Sequence, residues 1–240
     1  TSRQLRQFET EMEMNMPLHL GDLGRFRINV LKQRQMPALV IRRIISQIPT
    51  FEDLRLHPTI EKLAMDRQGL VLVTGMTGSG KSTTLAAMID YRNQQEKAHI
   101  VTIEDPIEYF HEHKKSVVTQ REVGVDTESY ATALKNAFRQ RPDVLLVGEI
   151  LDREVMEQTL TFSQTGHLCM ATIHANNASQ AIDRVINLFD KDFQNQARLS
   201  LSSNLKAVVS QRLIPKIDGD LIMVQEILIN EGLMRKLILD

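Results

Sequence analysis

The hydrophobic and polar positions change their rhythm partway along the chain. From Gly24 to Gln33 apolar residues alternate with polar ones, which predicts a half-buried strand. The run Ala38–Ile44 predicts a second strand. We expect both to belong to a small antiparallel unit at residues 1–48, followed by a proline-bearing linker at residues 49–57.

Residues 58–240 instead alternate short apolar runs with amphipathic segments. The apolar runs predict buried strands at Leu70–Thr74, His99–Ile103, Val144–Val147 and Leu168–Ile173, with a late strand at Asp220–Ile229. The amphipathic segments predict helices at Pro58–Arg67, Ser82–Gln94, Ser129–Gln140, Arg153–Thr165, Ala178–Leu188 and Asp192–Leu213. Strands alternating with helices predict an α/β domain around a parallel sheet that is covered on both faces.

The composition narrows the classes of partner and site. Lys and Arg total 29 against 30 Asp and Glu, and there is no Trp, so neither a basic groove nor a stacking platform for nucleic acid is indicated. We therefore expect no nucleic acid partner. Cys169 is the single cysteine, which excludes a disulfide within the chain and a Cys-rich zinc site. No apolar run approaches the roughly 20 residues that span a bilayer.

The stretch "GMTGSGKST" follows the predicted strand Leu70–Thr74 and precedes a predicted helix. Its spacing matches the phosphate-binding loop, or P-loop, in which small residues let backbone N–H groups surround phosphate oxygens. In this pattern Lys81 bridges the β- and γ-phosphates, and the Ser82 hydroxyl is a ligand for Mg²⁺. We expect ATP contacts from Gly75, Thr77, Gly78, Ser79, Gly80, Lys81, Ser82 and Thr83.

Acidic residues follow two of the predicted strands. Glu104, Asp105 and Glu108 lie in "VTIEDPIEY", and Glu149 follows the strand Val144–Val147. The carboxyl ends of parallel strands meet at one edge of the sheet, so these carboxylates are expected beside the P-loop. The spacing alone is equally compatible with a solvated acidic loop at residues 104–108.

Together these motifs resemble one family. The stretches "GRFRINV", "GLVLVTGMTGSGKSTTLAAMIDYRN", "HIVTIEDPIEY", "RPDVLLVGE", "TGHLCMATIHANNA" and "NLKAVVSQRLIP" resemble the type IV pilus retraction ATPases of the PilT/PilU group, within the secretion ATPases. Several of them are closer to PilU. The resemblance implies a RecA-like P-loop ATPase domain preceded by the remainder of a small α+β PAS-like domain.

The resemblance also implies roles for individual residues. Glu108 would be the general base, supported by Glu104 and Asp105. Glu149 would be the Walker B glutamate acting on Mg²⁺ and water, and His174 would sense the γ-phosphate. By spacing alone, Glu149 also fits an acidic residue before a helix, and a lone histidine at a strand end is a weak signal.

Arginines of the small unit are the remaining implied contacts. Arg25, Arg27 and Arg42 fall where the family reaches the nucleotide, although a solvated polar face explains them as well. The resemblance implies a homo-hexamer that meets an inner-membrane pilus platform protein, peripheral to the membrane at its cytoplasmic face. A paralogous retraction ATPase is a further implied partner.

Three functions remain open from the sequence. The first is an ATP-driven motor for pilus retraction and twitching motility. The second is an accessory retraction ATPase that depends on a partner motor, and the third is a RecA-like nucleic acid translocase. Leu151 stands where the family commonly has an arginine, and only "EGLMRKLI" corresponds to the family's C-terminal retraction element, so retraction follows less directly than ATP binding.

Overall fold

A computed structural model describes residues 2–44, 47–217 and 219–239 and divides into two compact units, Thr1–Ile48 and Pro49–Asp240. The first unit contains a helix and a three-stranded antiparallel sheet in the order β1-β2-β3. Its elements are α1 (Ser2–Glu11), β1 (Glu13–His19), β2 (Arg25–Gln33) and β3 (Met36–Ile44). Both predicted strands are present, and α1 and β1 lie in a stretch for which no element was predicted.

The structure differs from the predicted linker at residues 49–57. These residues belong to the second unit, because Phe51 and Leu56 pack against its hydrophobic core. The Phe51 ring also meets the Tyr91 ring edge-on, with the ring centroids 5.1 Å apart. The prolines that suggested a linker accompany a packed turn, and the boundary between the units follows Ile48.

The second unit alternates strands and helices as the pattern predicted. Its strands are β4 (Gly69–Thr74), β5 (His99–Glu104), β6 (Val117–Glu122), β7 (Val144–Val147), β8 (Leu168–Ile173), β9 (Leu205–Pro215) and β10 (Leu221–Ile229). Its helices are α2 (Pro58–Ala64), α3 (Lys81–Gln95), α4 (Tyr130–Ala137), α5 (Arg153–Gln164), α6 (Ala178–Asn187), α7 (Lys191–Asn204) and α8 (Leu233–Leu239). A short 3₁₀ turn, Phe138–Gln140, follows α4.

The sheet of the second unit has the order β10-β9-β4-β8-β7-β5-β6. All neighbouring pairs are parallel except β9 and β10, which are antiparallel. Leu70 and Leu72 of β4 face the core cluster that contains α4–α8, whereas Val71 and Val73 face the cluster that contains α2 and α3. The central strands are therefore buried on both faces, which explains their continuous apolar runs.

The predicted helix Asp192–Leu213 is wrong beyond Asn204. Helix α7 ends there, and β9 begins at Leu205 and pairs with β4 on one side and β10 on the other. Val208 and Val209 are fully buried in this strand. β-Branched residues favour a strand, and the sheet supplies partners on both sides that local periodicity does not reveal.

In the described ranges, no helix combines the length and the apolar character that crossing a membrane requires.

Candidate nucleotide site

The P-loop joins the end of β4 to the start of α3. Gly75, Gly78 and Gly80 all have positive φ, at 147°, 79° and 89°. A Cβ on Gly75 would lie 2.4 Å from the carbonyl oxygen of Gln211, so that position admits only glycine. A Cβ on Gly78 would meet no atom within 4 Å, which leaves open space at the middle of the loop.

Helix α3 begins without a side-chain cap. Gly80 is its N-cap residue in a left-handed conformation, and no side chain accepts a hydrogen bond from the first turn. The first N–H groups of a helix carry partial positive charge, so an uncapped start beside a cavity suits an anion such as a phosphate.

Lys81 lies in the first turn of α3 and is buried. Its Nζ donates to the carbonyl oxygens of Gly75 and Met76, at 3.0 and 3.1 Å. Burial lowers the pKa of Lys81, and the negative charges of Glu149 and Glu108 act against that decrease. Both carboxylates line the same cavity as Lys81, and their negative charges favour the protonated form of its ammonium group.

A cavity of about 330 Å³ opens at the carboxyl edge of the sheet and contains the predicted catalytic residues. It is lined by Thr77, Gly78, Lys81, Ser82, Leu85, Ala86, Glu104, Asp105, Pro106, Glu108, Tyr109, His111, Tyr130, Leu146, Gly148, Glu149, Thr172 and His174. Four other predicted P-loop residues, Gly75, Ser79, Gly80 and Thr83, form the loop and its junction with α3 without lining the cavity.

Glu149 and His174 face each other across neighbouring strands. β7 and β8 are parallel and in register, so the residues that follow them lie side by side. His174 Nε2 lies 3.0 Å from Glu149 Oε1, and both side chains are about one-third exposed. This contact brings together Glu149, which was predicted to act on Mg²⁺ and water, and His174, which was predicted to sense the γ-phosphate.

Glu104 is the most perturbed carboxyl group of the cavity. Its Oε1 accepts hydrogen bonds from Thr102 Oγ1 at 2.7 Å and from Gln120 Nε2 at 3.3 Å. Burial nevertheless raises the pKa of Glu104 to about 7. Glu108 and Asp105 are exposed on the same loop.

Local motif reasoning missed several residues of the cavity. Tyr130 is buried, and burial together with the nearby charges of Asp105, Glu104 and Glu149 raises the pKa of its phenol. Tyr130 starts α4, far along the chain from the P-loop, so only the fold brings it to the cavity.

His111 was missed as well. Burial lowers the pKa of His111 to about 4, so the ring is neutral at pH 7, and none of the described residues forms a hydrogen bond with its Nδ1. Tyr109, in the same loop, bonds to Thr83 of α3 at 3.0 Å. The one sequence signal for Tyr109 was that it is the last residue of the acidic stretch "VTIEDPIEY".

The cavity fits a magnesium nucleotide better than a free metal ion. Among the described residues, no group of three or more His, Cys, Asp or Glu could hold a metal ion. Ser82 and Glu149 both line the cavity, and Mg²⁺ characteristically takes one or two protein ligands together with phosphate oxygens and waters. The open space at Gly78 and the uncapped start of α3 leave room for those phosphates.

The arginines of the first unit lie on paired strands. Arg27 of β2 and Arg42 of β3 are directly opposite in register, so they share one face of the sheet. Arg42 is exposed and Arg27 is half-buried. Arg25 also belongs to β2, but its side chain lies outside the described part of the structure. Their predicted contact with a nucleotide stays a prediction.

Comparisons with known proteins agree with this architecture. A family model described as "Type II/IV secretion system protein" matches residues 9–227. The chain is 49% identical over 237 residues to the type IV pilus ATPase PilU of Pseudomonas aeruginosa, covering 98% of this chain and 62% of that protein. It is 43% identical over 236 residues to the PilT retraction ATPase of the same organism, covering 98% and 69%.

The solved structures include a close match. A crystal structure of the pilus retraction motor PilT with bound ADP matches with a TM-score of 0.97 at 45% identity, covering all of this chain and 70% of that one. The predicted fold class and the predicted family, with its closer likeness to PilU, are confirmed. The chain spans less than two-thirds of the PilU relative's length, and it belongs to the type II/IV secretion system protein family.

Proposed function

We propose that the chain is an ATP-hydrolysing motor, or motor subunit, that drives type IV pilus retraction. The observation that carries the proposal is that Lys81, Glu108 and the Glu149–His174 pair share one cavity with the P-loop. The relatives named above support the biological context, since one is called a type IV pilus ATPase and the other a pilus retraction ATPase.

In this proposal each side chain has a defined task. Lys81 would exchange the loop carbonyls for the β- and γ-phosphate oxygens, and Ser82 and Glu149 would hold Mg²⁺. When bound, the magnesium nucleotide would supply a γ-phosphoryl group that water can attack, and the bond from the γ-phosphorus to ADP would break so that ADP leaves. Glu108 takes the proton of that water, and His174, held by Glu149, lies where it can detect the γ-phosphate.

Glu104 is the second base candidate. It lies in the cavity, and its pKa of about 7 is close to the operating pH, which favours proton exchange. Glu108 is more exposed and carries the family's expectation. Comparing the rates of Glu108→Gln and Glu104→Gln separates the two roles.

The wider context is part of the proposal. The chain acts as a homo-hexamer at the cytoplasmic face of the inner membrane, where it works on a pilus platform protein. The arginines of the first unit supply positive charge to the phosphates, which phosphoryl transfer requires beyond Lys81 and Mg²⁺.

An accessory role is the second candidate. It is favoured because the relative with 49% identity, PilU, is named only a type IV pilus ATPase, whereas PilT, at 43% identity, is named a retraction ATPase. An accessory ATPase keeps the same cavity and hydrolyses ATP, but it generates retraction only beside a paralogous motor.

One experiment in cells separates the two candidates. Pilus retraction is measured in cells that carry this protein as their only retraction ATPase, and again with a PilT-type motor present. Retraction in the first strain supports the motor. Retraction that needs the second motor and stops with Lys81→Met in this chain supports the accessory role. Retraction that Lys81→Met leaves unchanged in both strains contradicts the proposal.

A further inference from the structure

The hairpin formed by β9 and β10 contacts both ends of the P-loop. Gln211 of β9 places its backbone carbonyl oxygen 2.4 Å from the position of a Cβ on Gly75. The Cε atom of Met223 in β10 lies 2.8 Å from the place that a Cβ on Gly80 would occupy. The hairpin therefore approaches the first and the last glycine of the loop closely.

The side chain of Gln211 extends this contact to α3. Gln211 is fully buried, and its Nε2 donates to Thr84 Oγ1 at 2.7 Å. The same Nε2 lies 3.0 Å from the sulfur of Met223. Thr84, itself fully buried, belongs to the turn of α3 that also carries Lys81 and Ser82.

This amide is not fully satisfied. Its Oε1 is buried and has no hydrogen-bond partner in the described part of the chain, and the same holds for the Oγ of Ser79 in the adjacent loop. Buried polar atoms without partners are costly and uncommon in native proteins. A leucine would fill the same volume without that cost, so the amide at position 211 does more than fill space.

We propose that Gln211 is a positioning residue for the nucleotide. Through Thr84 it fixes the first turn of α3 relative to β9, and it thereby sets where Lys81 and Ser82 meet the phosphates. The inference rests on the proposed function, since it assigns a role at the same nucleotide site.

The test is ADP binding by the full chain, measured by calorimetry for Thr84→Val, Gln211→Leu and the double variant. Each single substitution removes one partner of the same hydrogen bond and should raise the Kd for ADP about fivefold, the factor that one net hydrogen bond corresponds to. The double variant should bind no more weakly than either single one, because the two substitutions break one interaction. Steady-state hydrolysis should show the same loss as a raised KM.

Two control variants keep the test specific. Thr159 is also a fully buried helical threonine, but within the described residues its hydroxyl bonds to Val155 of its own helix alone, so Thr159→Val should leave the Kd unchanged. Thr84→Ser keeps the hydroxyl and should bind like the wild type. If Gln211→Leu fails to fold, the comparison of Thr84→Val with Thr84→Ser decides alone.

The possible results distinguish a wrong proposed function from a wrong role for Gln211. A wild-type chain that does not bind ADP overturns the proposed function, and this inference with it. A wild type that binds ADP, with Thr84→Val and Gln211→Leu lowering only the melting temperature, overturns the inference alone. So does a double variant whose loss is the sum of the single losses, because the residues would then act independently.

Discussion

Lys81 is a residue whose charge serves the ligand rather than the fold. Its ammonium group is buried against two loop carbonyls, and burial lowers its pKa, so its charged form is disfavoured without a phosphate. Lys81→Met keeps the aliphatic stem and should leave the melting temperature unchanged or slightly raised. ADP binding should be lost to calorimetry. A variant that melts normally and still binds ADP like the wild type contradicts the P-loop assignment.

Glu104 makes a distinct prediction about pH. Its pKa is about 7 in the folded chain against an ordinary value of 4.5, so the folded state retains a proton that the unfolded state has lost. The stability that Glu104 contributes is fully present below about pH 4.5 and disappears as the pH rises through 7. Glu104→Gln keeps the acceptor for Thr102 but cannot ionise.

The melting temperature of Glu104→Gln, relative to the wild type, should therefore rise between pH 5 and pH 7.5. Glu122 is the control, since it sits on the neighbouring strand and its Oε2 accepts from the Ile107 N–H. Glu122→Gln should show no such increase over the same range. If the difference in melting temperature between Glu104→Gln and the wild type stayed constant from pH 5 to pH 7.5, Glu104 would be ionised throughout that range.

Residue identities could be predicted where a contiguous motif carries them. Lys81, Glu108, Glu149 and His174 lie in short stretches at strand ends, which predicted that they meet at one edge of the sheet, and all four line one cavity. Their catalytic roles, which the family resemblance implied for Glu108, Glu149 and His174, stay predictions. Tyr130 could not be found in this way, because no local pattern links the start of α4 to the P-loop. Its place depends on the order of strands in the sheet, which the sequence does not state.

The P-loop offers a test at the level of the element. Gly75 and Gly78 both have positive φ, so alanine at either position strains the backbone by about 1–2 kcal/mol. Only at Gly75 would the new Cβ also meet a backbone atom, the Gln211 carbonyl oxygen at 2.4 Å. Gly75→Ala should therefore lower the melting temperature by clearly more than Gly78→Ala. If both substitutions lowered the melting temperature equally, β9 would not restrict the conformation of the P-loop.

The strands also define the limit of pattern reading. β7 and β8 were predicted at their observed bounds, because strands buried on both faces read as uninterrupted apolar runs. The start of β9 was predicted as the end of a helix, because an apolar run that follows a helical pattern is compatible with both a helix and a strand. β6 was missed because it is an edge strand in which Val118 alone is buried.

For the whole molecule, we expect the ATPase activity to depend on association of several chains. The proposed hexamer brings arginines of the first unit to the phosphates, so dilution should lower the specific ATPase activity. Arg27→Ala with Arg42→Ala should reduce turnover with less effect on nucleotide affinity. Arg43, which lies opposite Phe26 on the other face of the strand pair, is the matched control. Full turnover in a dilute monomer with both arginines replaced contradicts this mechanism.

The most direct test of the central claim is ATP turnover by the purified chain, compared with Glu149→Gln and Glu108→Gln. Both substitutions preserve shape and remove a charge that lies at the cavity. We expect measurable turnover in the wild type and a loss of about 10²–10⁴-fold in each variant, the range for general acid–base catalysis, with ATP still bound. Turnover that stays at the wild-type level in both variants would contradict the proposed mechanism, because hydrolysis would then depend on neither the proposed general base Glu108 nor the proposed Mg²⁺ ligand Glu149.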